Sequence, residues 1–290
     1  MNELKLVSYV LDGRETLGVW LDSGIVAASE LLQGRDGSIT LDTVLQDAEV
    51  LQALQVAVQN APRQHAVDAS QVEFLPCVPR PGKVICIGLN YRKHAIETKA
   101  AIPTTPIVFS KFSDTVAAHG EDVPLPQGSS QVDYEAELAI VMGRKAQYVS
   151  EDDALDYVFG YCNANDLSAR DLQMVTSQWL LGKTCPKFAP IGPYIATADE
   201  IEDPNNLAIK TYVNGTVRQN SNTGDMIFAC GELISYLSQY MVLNPGDIIL
   251  TGTPEGVILG LPKAERVWLK SGDTVTIEIE KLGQLTNKMV

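Results

Sequence analysis

The run Val132-Asp133-Tyr134-Glu135-Ala136-Glu137-Leu138-Ala139-Ile140-Val141 decides how this chain is read. Side chains alternate faces along a strand, so Glu135 and Glu137 point the same way. On a buried strand two such carboxylates repel each other and lose hydration. They are tolerated there only with a cation, a shared proton or paired basic groups. The alternative is a polar strand edge with both glutamates in water, the commoner fate of carboxylates. A third carboxylate, Asp166, follows in Tyr161-Cys162-Asn163-Ala164-Asn165-Asp166-Leu167-Ser168-Ala169-Arg170-Asp171-Leu172-Gln173. Three carboxylates with no nearby imidazole suit a hard, oxygen-preferring divalent ion, Mg²⁺ or Mn²⁺ rather than Zn²⁺.

Around this run lies a chain of 290 residues, long enough to bury a full core as one large domain or two unequal ones. Apolar residues make up 45% and charged residues 20%, a soluble composition. The net charge of −14 argues against nucleic acid and anionic membranes as partners. It also means that an anionic substrate must be attracted locally, by a metal, Arg or Lys. The apolar runs are too short to span a membrane, and Met1-Asn-Glu-Leu-Lys lacks the pattern of a secretory signal. The five cysteines, Cys77, Cys86, Cys162, Cys185 and Cys230, form no zinc pattern and read as reduced thiols of a cytoplasmic protein. Three histidines, His65, His94 and His119, leave little material for a histidine-rich metal site.

Residues 4–31 read as short strands turned at Asp12-Gly13 and Asp22-Ser23-Gly24. Residues 41–60 carry helical apolar spacing through Leu41, Val44, Leu45, Leu51, Leu54 and Val56. Pro76, Pro79 and Pro81 then punctuate the chain, which predicts a small N-terminal α+β domain over 1–75 and a second domain over 76–290. The second is strand-rich. Val84-Ile-Cys-Ile reads as a buried strand, and Leu207–Val213 with Asn214-Gly215 as a hairpin arm. Val275–Glu280 reads as a half-exposed strand, and helical turns are expected at 151–159, 167–173 and 229–240. The fold class is α+β, mainly β.

His94 and Glu97 stand at i and i+3, one face of a helix, where a carboxylate raises and orients a histidine base; an ordinary surface ion pair is the other reading. Gly182-Lys183-Thr184 lacks the upstream glycine of a phosphate loop, since Ser177 stands there. Lys183 is either a charge-stabilising group or a solvated lysine. Gly252-Thr253 offers close backbone approach and a hydroxyl, or a plain turn. Asp171 reads as a cap or ion-pair partner, His119 as a loop residue and Cys185 as packing.

The ordered set of motifs resembles the fumarylacetoacetate hydrolase family from about Lys83 to the C-terminus. The stretches are Gly88-Leu-Asn-Tyr-Arg-Lys-His94-Ala-Ile-Glu97, Pro106-Ile-Val-Phe-Ser-Lys111, the Glu-x-Glu strand and Asp166-Leu-Ser-Ala-Arg170-Asp-Leu-Gln173. Gly182-Lys183, Pro190-Ile-Gly-Pro193, Val213-Asn-Gly215 and Asn244–Val257 complete it. The resemblance implies a curled mixed β-sheet and a short helix over Arg92–Lys99. It implies Mg²⁺ or Mn²⁺ on Glu135, Glu137 and Asp166, with His94 and Glu97 activating water and Lys183 stabilising charge. Gln173, Arg170, Gly252, Thr253, Tyr91 and Lys111 are implied as substrate contacts, Arg170 doubling as a holder of the acidic ligands. Asn90 or Tyr91 stands where some members carry a further acidic ligand, so water is expected in its place. A homodimer and a place in aromatic catabolism are also implied.

The leading expectation is metal-dependent hydrolysis of a C–C bond in a 2,4-dioxo acid, an acylpyruvate such as fumarylpyruvate or acetylpyruvate, giving pyruvate and a second acid. The alternatives on the same site are oxaloacetate decarboxylation, or isomerisation and tautomerisation of 2-hydroxymuconate-like dicarboxylates. A non-catalytic metal-binding homologue is disfavoured because every motif residue is intact.

Overall fold

The computed structural model describes residues 4–32, 39–59 and 66–290; His65 and Asn60 lie outside them. The chain is mainly β, with mixed sheets. The expected N-terminal turns form: Asp12 and Gly13, both at positive φ, join Lys5–Leu11 to Arg14–Leu21, and Gly24–Ala27 adds a third antiparallel strand. These strands do not stand apart. Lys5–Leu11 pairs with Ala189–Thr197, Lys5 opposite Ala196, so the hairpin continues one large sheet. That sheet runs on through Val158–Asn165, Ala136–Met142, Ile248–Leu250 and Val84–Gly88 to the edge strand Ile107–Lys111.

Both faces of this sheet are covered, as the uninterrupted burial of Ala136–Met142 requires. Ala139, Val141, Ile248 and Leu250 pack with Leu41, Val44, Val50, Leu54 and Val58 of the helices Leu41–Gln46 and Ala48–Gln59. The sequence reading expected one helical stretch here. The helix breaks at Asp47, which leaves helical φ/ψ and accepts the Glu49 N–H on its carboxylate. The break re-phases the apolar face, so Val50 and Val58 are buried while Val56 is exposed. On the other face Leu138, Ile140, Ile85 and Ile87 meet Ile209, Val213, Val275 and Ile277 of a second, five-stranded sheet. Its strands Ala208–Val213 and Thr216–Asn222 form the expected hairpin, with Asn214 and Gly215 at positive φ in the turn. Thr274–Ile279 alternates half-buried and buried residues, as expected.

Strand polarity gathers the motifs. Ile248–Leu250 and Val84–Gly88 are parallel, so both release their chains at one end of the sheet. The first delivers Gly252 and Thr253 there, and the second delivers Asn90 and the helix Arg92–Glu97. The antiparallel pair between Ala136–Met142 and Val158–Asn165 begins and ends at the same place, Ala136 opposite Asn165. Glu135, Glu137 and Asp166, far apart in sequence, therefore meet. Among the described residues no helix is long and apolar enough to cross a membrane.

Candidate metal centre and active site

Glu135, Glu137 and Asp166 are 5%, 2% and 0% exposed, which removes the solvated-edge reading of the Glu-x-Glu strand. One oxygen from each lies within 4.8 Å of the others. Ligand oxygens across an octahedral Mg²⁺ sit about 4.2 Å apart, twice the bond length, so small side-chain adjustments seat such an ion.

Each carboxylate is held differently. Arg170 donates from Nη2 to Glu135 Oε1 at 2.7 Å, from Nε to Asp133 Oδ2 at 2.9 Å and from Nη1 to Gln173 Oε1 at 3.0 Å. Lys183 Nζ bridges Glu135 Oε2 at 2.5 Å and Asp166 Oδ2 at 2.8 Å. Burial opposes charge on Glu135, yet Arg170 and Lys183 outweigh it and hold its carboxyl well below the usual range. Burial likewise opposes charge on Lys183, and Asp166 and Glu135 reverse the effect and keep it an ammonium. Glu137 has no such cation. It accepts one N–H, from Gly252 at 2.7 Å, and burial with Asp166 and Glu135 beside it pushes its carboxyl well above the usual range.

Four carboxylates, Asp133, Glu135, Glu137 and Asp166, thus face three cations, Lys111, Arg170 and Lys183. The carboxyl left without a cationic partner is that of Glu137. Asp166 Oδ1 lies 2.6 Å from Lys111 Nζ without an aligned hydrogen bond. An unpaired buried carboxylate beside an incompletely bonded carboxylate oxygen fits a divalent cation.

The motif residues share one cavity of about 670 Å³, lined by His94, Glu97, Arg170, Gln173, Lys183 and Thr253 with the acidic triad, and walled by Trp179, Met174 and Leu259–Lys263. His94 Nδ1 is 3.4 Å from Glu97 Oε2, and Glu97 in turn accepts the Gly256 N–H. A carboxylate only accepts, so Nδ1 carries the proton and the Nε2 lone pair is left for the cavity. Arg170 likewise takes the amide oxygen of Gln173, which leaves the amide nitrogen to donate. Thr253 Oγ1 accepts from Gln219 Nε2 at 2.9 Å, which frees its own proton for a ligand.

Three expected substrate contacts are placed elsewhere. Gly252 gives its N–H to Glu137 and supports the acidic floor; its φ of +98° and the 2.7 Å approach of a Cβ to Asn90 exclude other residues. Lys111 stands behind Asp166, its ammonium spent on the Leu167, Lys183 and Phe188 carbonyls. Tyr91 is fully buried at the start of the helix Arg92–Glu97, with no hydrogen bond to its hydroxyl among the described residues. Asn90 is consumed by the Thr251 and Phe228 backbone, which leaves it no role as a ligand. Asp171 accepts from Ser129 and Ser130 as a loop cap, and His119 accepts the Thr286 N–H.

Sequence reasoning missed Asp133 and Gln219. Asp133 holds Arg170 and also accepts the Ile258 and Leu259 N–H groups. Its place two residues before Glu135 in the same apolar run was a usable signal. Gln219 orients Thr253 from the second sheet, and nothing in its surroundings in sequence announces that.

Residues 83–290 match the family model described as Fumarylacetoacetate (FAA) hydrolase C-terminal. The chain is 43% identical over 291 residues, 99% of its length and 92% of the relative's, to a rat (Rattus norvegicus) protein named oxaloacetate tautomerase Fahd2a, mitochondrial. Among solved structures it resembles one described as a putative HpcE protein from Mycobacterium smegmatis, at 34% identity and a TM-score of 0.85 over 99% of both chains. It also resembles a maleylpyruvate hydrolase from Sphingobium sp. SYK-6, at 29% identity and a TM-score of 0.79 over 99% of both.

Proposed function

This chain belongs to the fumarylacetoacetate hydrolase family, and from that premise we propose that it is a tautomerase of a 2-oxo dicarboxylic acid, with oxaloacetate as the type substrate and Mg²⁺ or Mn²⁺ as cofactor. The observation that carries this reading over hydrolysis is the near full-length similarity to a protein named an oxaloacetate tautomerase. The leading sequence expectation was acylpyruvate hydrolysis; the relatives favour the tautomerase alternative instead.

Glu135, Glu137 and Asp166 would hold the ion. When bound, it supplies Lewis-acid stabilisation of negative charge on the 2-oxygen. The rest is the chain's own work. Keto-to-enol conversion removes a proton from C3, forms the C2–C3 double bond and moves the carbonyl pair onto O2, which takes a proton from solvent while the His94 imidazolium releases one, so the proton count is unchanged. His94 Nε2, free of the Glu97 contact, accepts the C3 proton, and Glu97 stabilises the imidazolium that results. The Gln173 amide and the Lys183 ammonium donate toward O2 as its charge grows. Thr253 donates its hydroxyl to the adjacent carboxylate. The half-buried Trp179 supplies an apolar part of the cavity wall.

Hydrolysis of an acylpyruvate is the second reading, favoured by the same His94–Glu97 pair, which is equally suited to activating water. The test is to supply oxaloacetate, acetylpyruvate and fumarylpyruvate side by side to metal-loaded protein, following enol–keto interconversion and pyruvate release together. Interconversion without pyruvate supports the tautomerase. Pyruvate from an acylpyruvate establishes the hydrolase, and pyruvate from oxaloacetate alone a decarboxylase. A homodimer is part of the same proposal, the edge strand Ile107–Lys111 carrying exposed Val108 with Phe112 just beyond it. The five free, buried cysteines fit a reducing compartment.

A further inference from the structure

We infer that Arg266, on the segment 258–268 that lines the cavity, binds the distal carboxylate of the substrate and so selects dicarboxylates over monocarboxylates; this rests on the proposed reading of the site as one for 2-oxo acids. The cavity's cations fall into two groups. The inner ones, Arg170 and Lys183, are charge-paired with Asp133, Glu135 and Asp166, and Lys183 keeps one N–H for the reacting oxygen. The outer ones, Lys99, Lys263 and Arg266, line the same cavity, and none has a carboxylate partner among the described residues. In a chain of net charge −14, three cations without a carboxylate partner lining one cavity are a local source of attraction for an anion.

Lys99 and Lys263 are exposed, so water screens them. Arg266 is half-buried and pinned, its Nε donating to the Leu261 carbonyl at 2.8 Å. That bond spends one edge of the guanidinium and leaves the two terminal nitrogens, the fork that grips a carboxylate in two parallel hydrogen bonds.

The loop's position relative to the acidic floor is set by two ties. Ile258 and Leu259 donate their N–H groups to the Asp133 carboxylate at 2.9 and 3.0 Å, and Leu269 N–H reaches the Val132 carbonyl at 3.0 Å. Both ends of the segment are therefore fastened to Val132–Asp133, the residues that lead into Glu135. Asp133 also anchors Arg170. One strand thereby spaces a distal-carboxylate site from the centre that takes the 2-oxo acid end, and the spacing is a measure of chain length.

The test is calorimetric binding of two non-reacting probes in the presence of Mn²⁺: malate, a 2-hydroxy dicarboxylate, and 2-hydroxybutyrate, its monocarboxylate counterpart. Wild-type protein is expected to prefer malate by roughly 10- to 100-fold, the range of one charge-assisted pair. Arg266→Gln should abolish that preference and leave 2-hydroxybutyrate binding unchanged, while Arg266→Lys restores part of it. Equal weakening of both probes in Arg266→Gln, a preference that survives it, or no wild-type preference would each overturn the assignment. If oxaloacetate is not tautomerised but the preference is present and Arg266-dependent, the reaction proposal fails and the carboxylate site stands.

Discussion

The floor and the rim of the cavity treat charge in opposite ways. On the floor every charged group except Glu137 is buried against an opposite partner, with the carboxylates on strands or strand ends and Arg170 and Lys183 on the short helices Arg170–Gln173 and Leu180–Lys183. On the rim the cations are exposed or half-buried, unpaired, and carried by loops and single turns. Buried ion pairs give a rigid arrangement because breaking one strands its partner in a medium that solvates it poorly. Unpaired rim cations cost little and remain available to a ligand. The floor is therefore suited to chemistry shared across a family, and the rim to choosing among acids.

That contrast orders the expected effects. Glu135→Ala removes a ligand and leaves Arg170 and Lys183 unbalanced; Mn²⁺ binding and all turnover should be lost, and retention of either would refute the metal centre. His94→Gln should lower kcat by roughly 100- to 10,000-fold, the usual contribution of a general base, with Mn²⁺ affinity unchanged by calorimetry. A kcat unaffected by this change would move proton transfer to another group. Arg170→Met strands Asp133, takes from Glu135 one of its two cations, and should destabilise the protein by about 3–5 kcal/mol, read as a lowered denaturant midpoint at constant slope. A change no larger than that of a rim residue would erase the distinction between the two regions. Lys263→Ala, on the rim, should alter stability by about 0.5 kcal/mol or less and raise KM modestly, an effect that fades as salt is added.

How legible each region was in the sequence follows the same divide. The floor could be read because strand alternation is a local rule: Glu135 and Glu137 share a face whatever surrounds them. Ile85 and Ile87, and the Asn214-Gly215 turn, were readable for similar reasons. The partners of the buried charges were not. Lys111 reaches Leu167, 56 residues away, and Asp133 takes the Ile258 N–H across 125, contacts that exist only once the sheet has formed. Lys111 and Gly252 were therefore expected at the substrate, whereas Lys111 stands behind Asp166 and Gly252 under Glu137. The broken helix at Asp47 was missed because apolar residues on both sides of the break fit one helical period loosely. The rim segment 258–268 carries neither period nor motif, and its meaning rests on Asp133 holding it in place.

The most direct measurement is the rate of enol–keto interconversion of oxaloacetate, followed by rapid mixing with metal-stripped protein and again after Mn²⁺ is restored. Acceleration that requires both protein and metal, is lost in Glu137→Ala and releases no pyruvate is the expected result. A rate unchanged by restoring the metal, alongside metal-dependent pyruvate release from an acylpyruvate, would contradict the tautomerase and return the site to C–C hydrolysis.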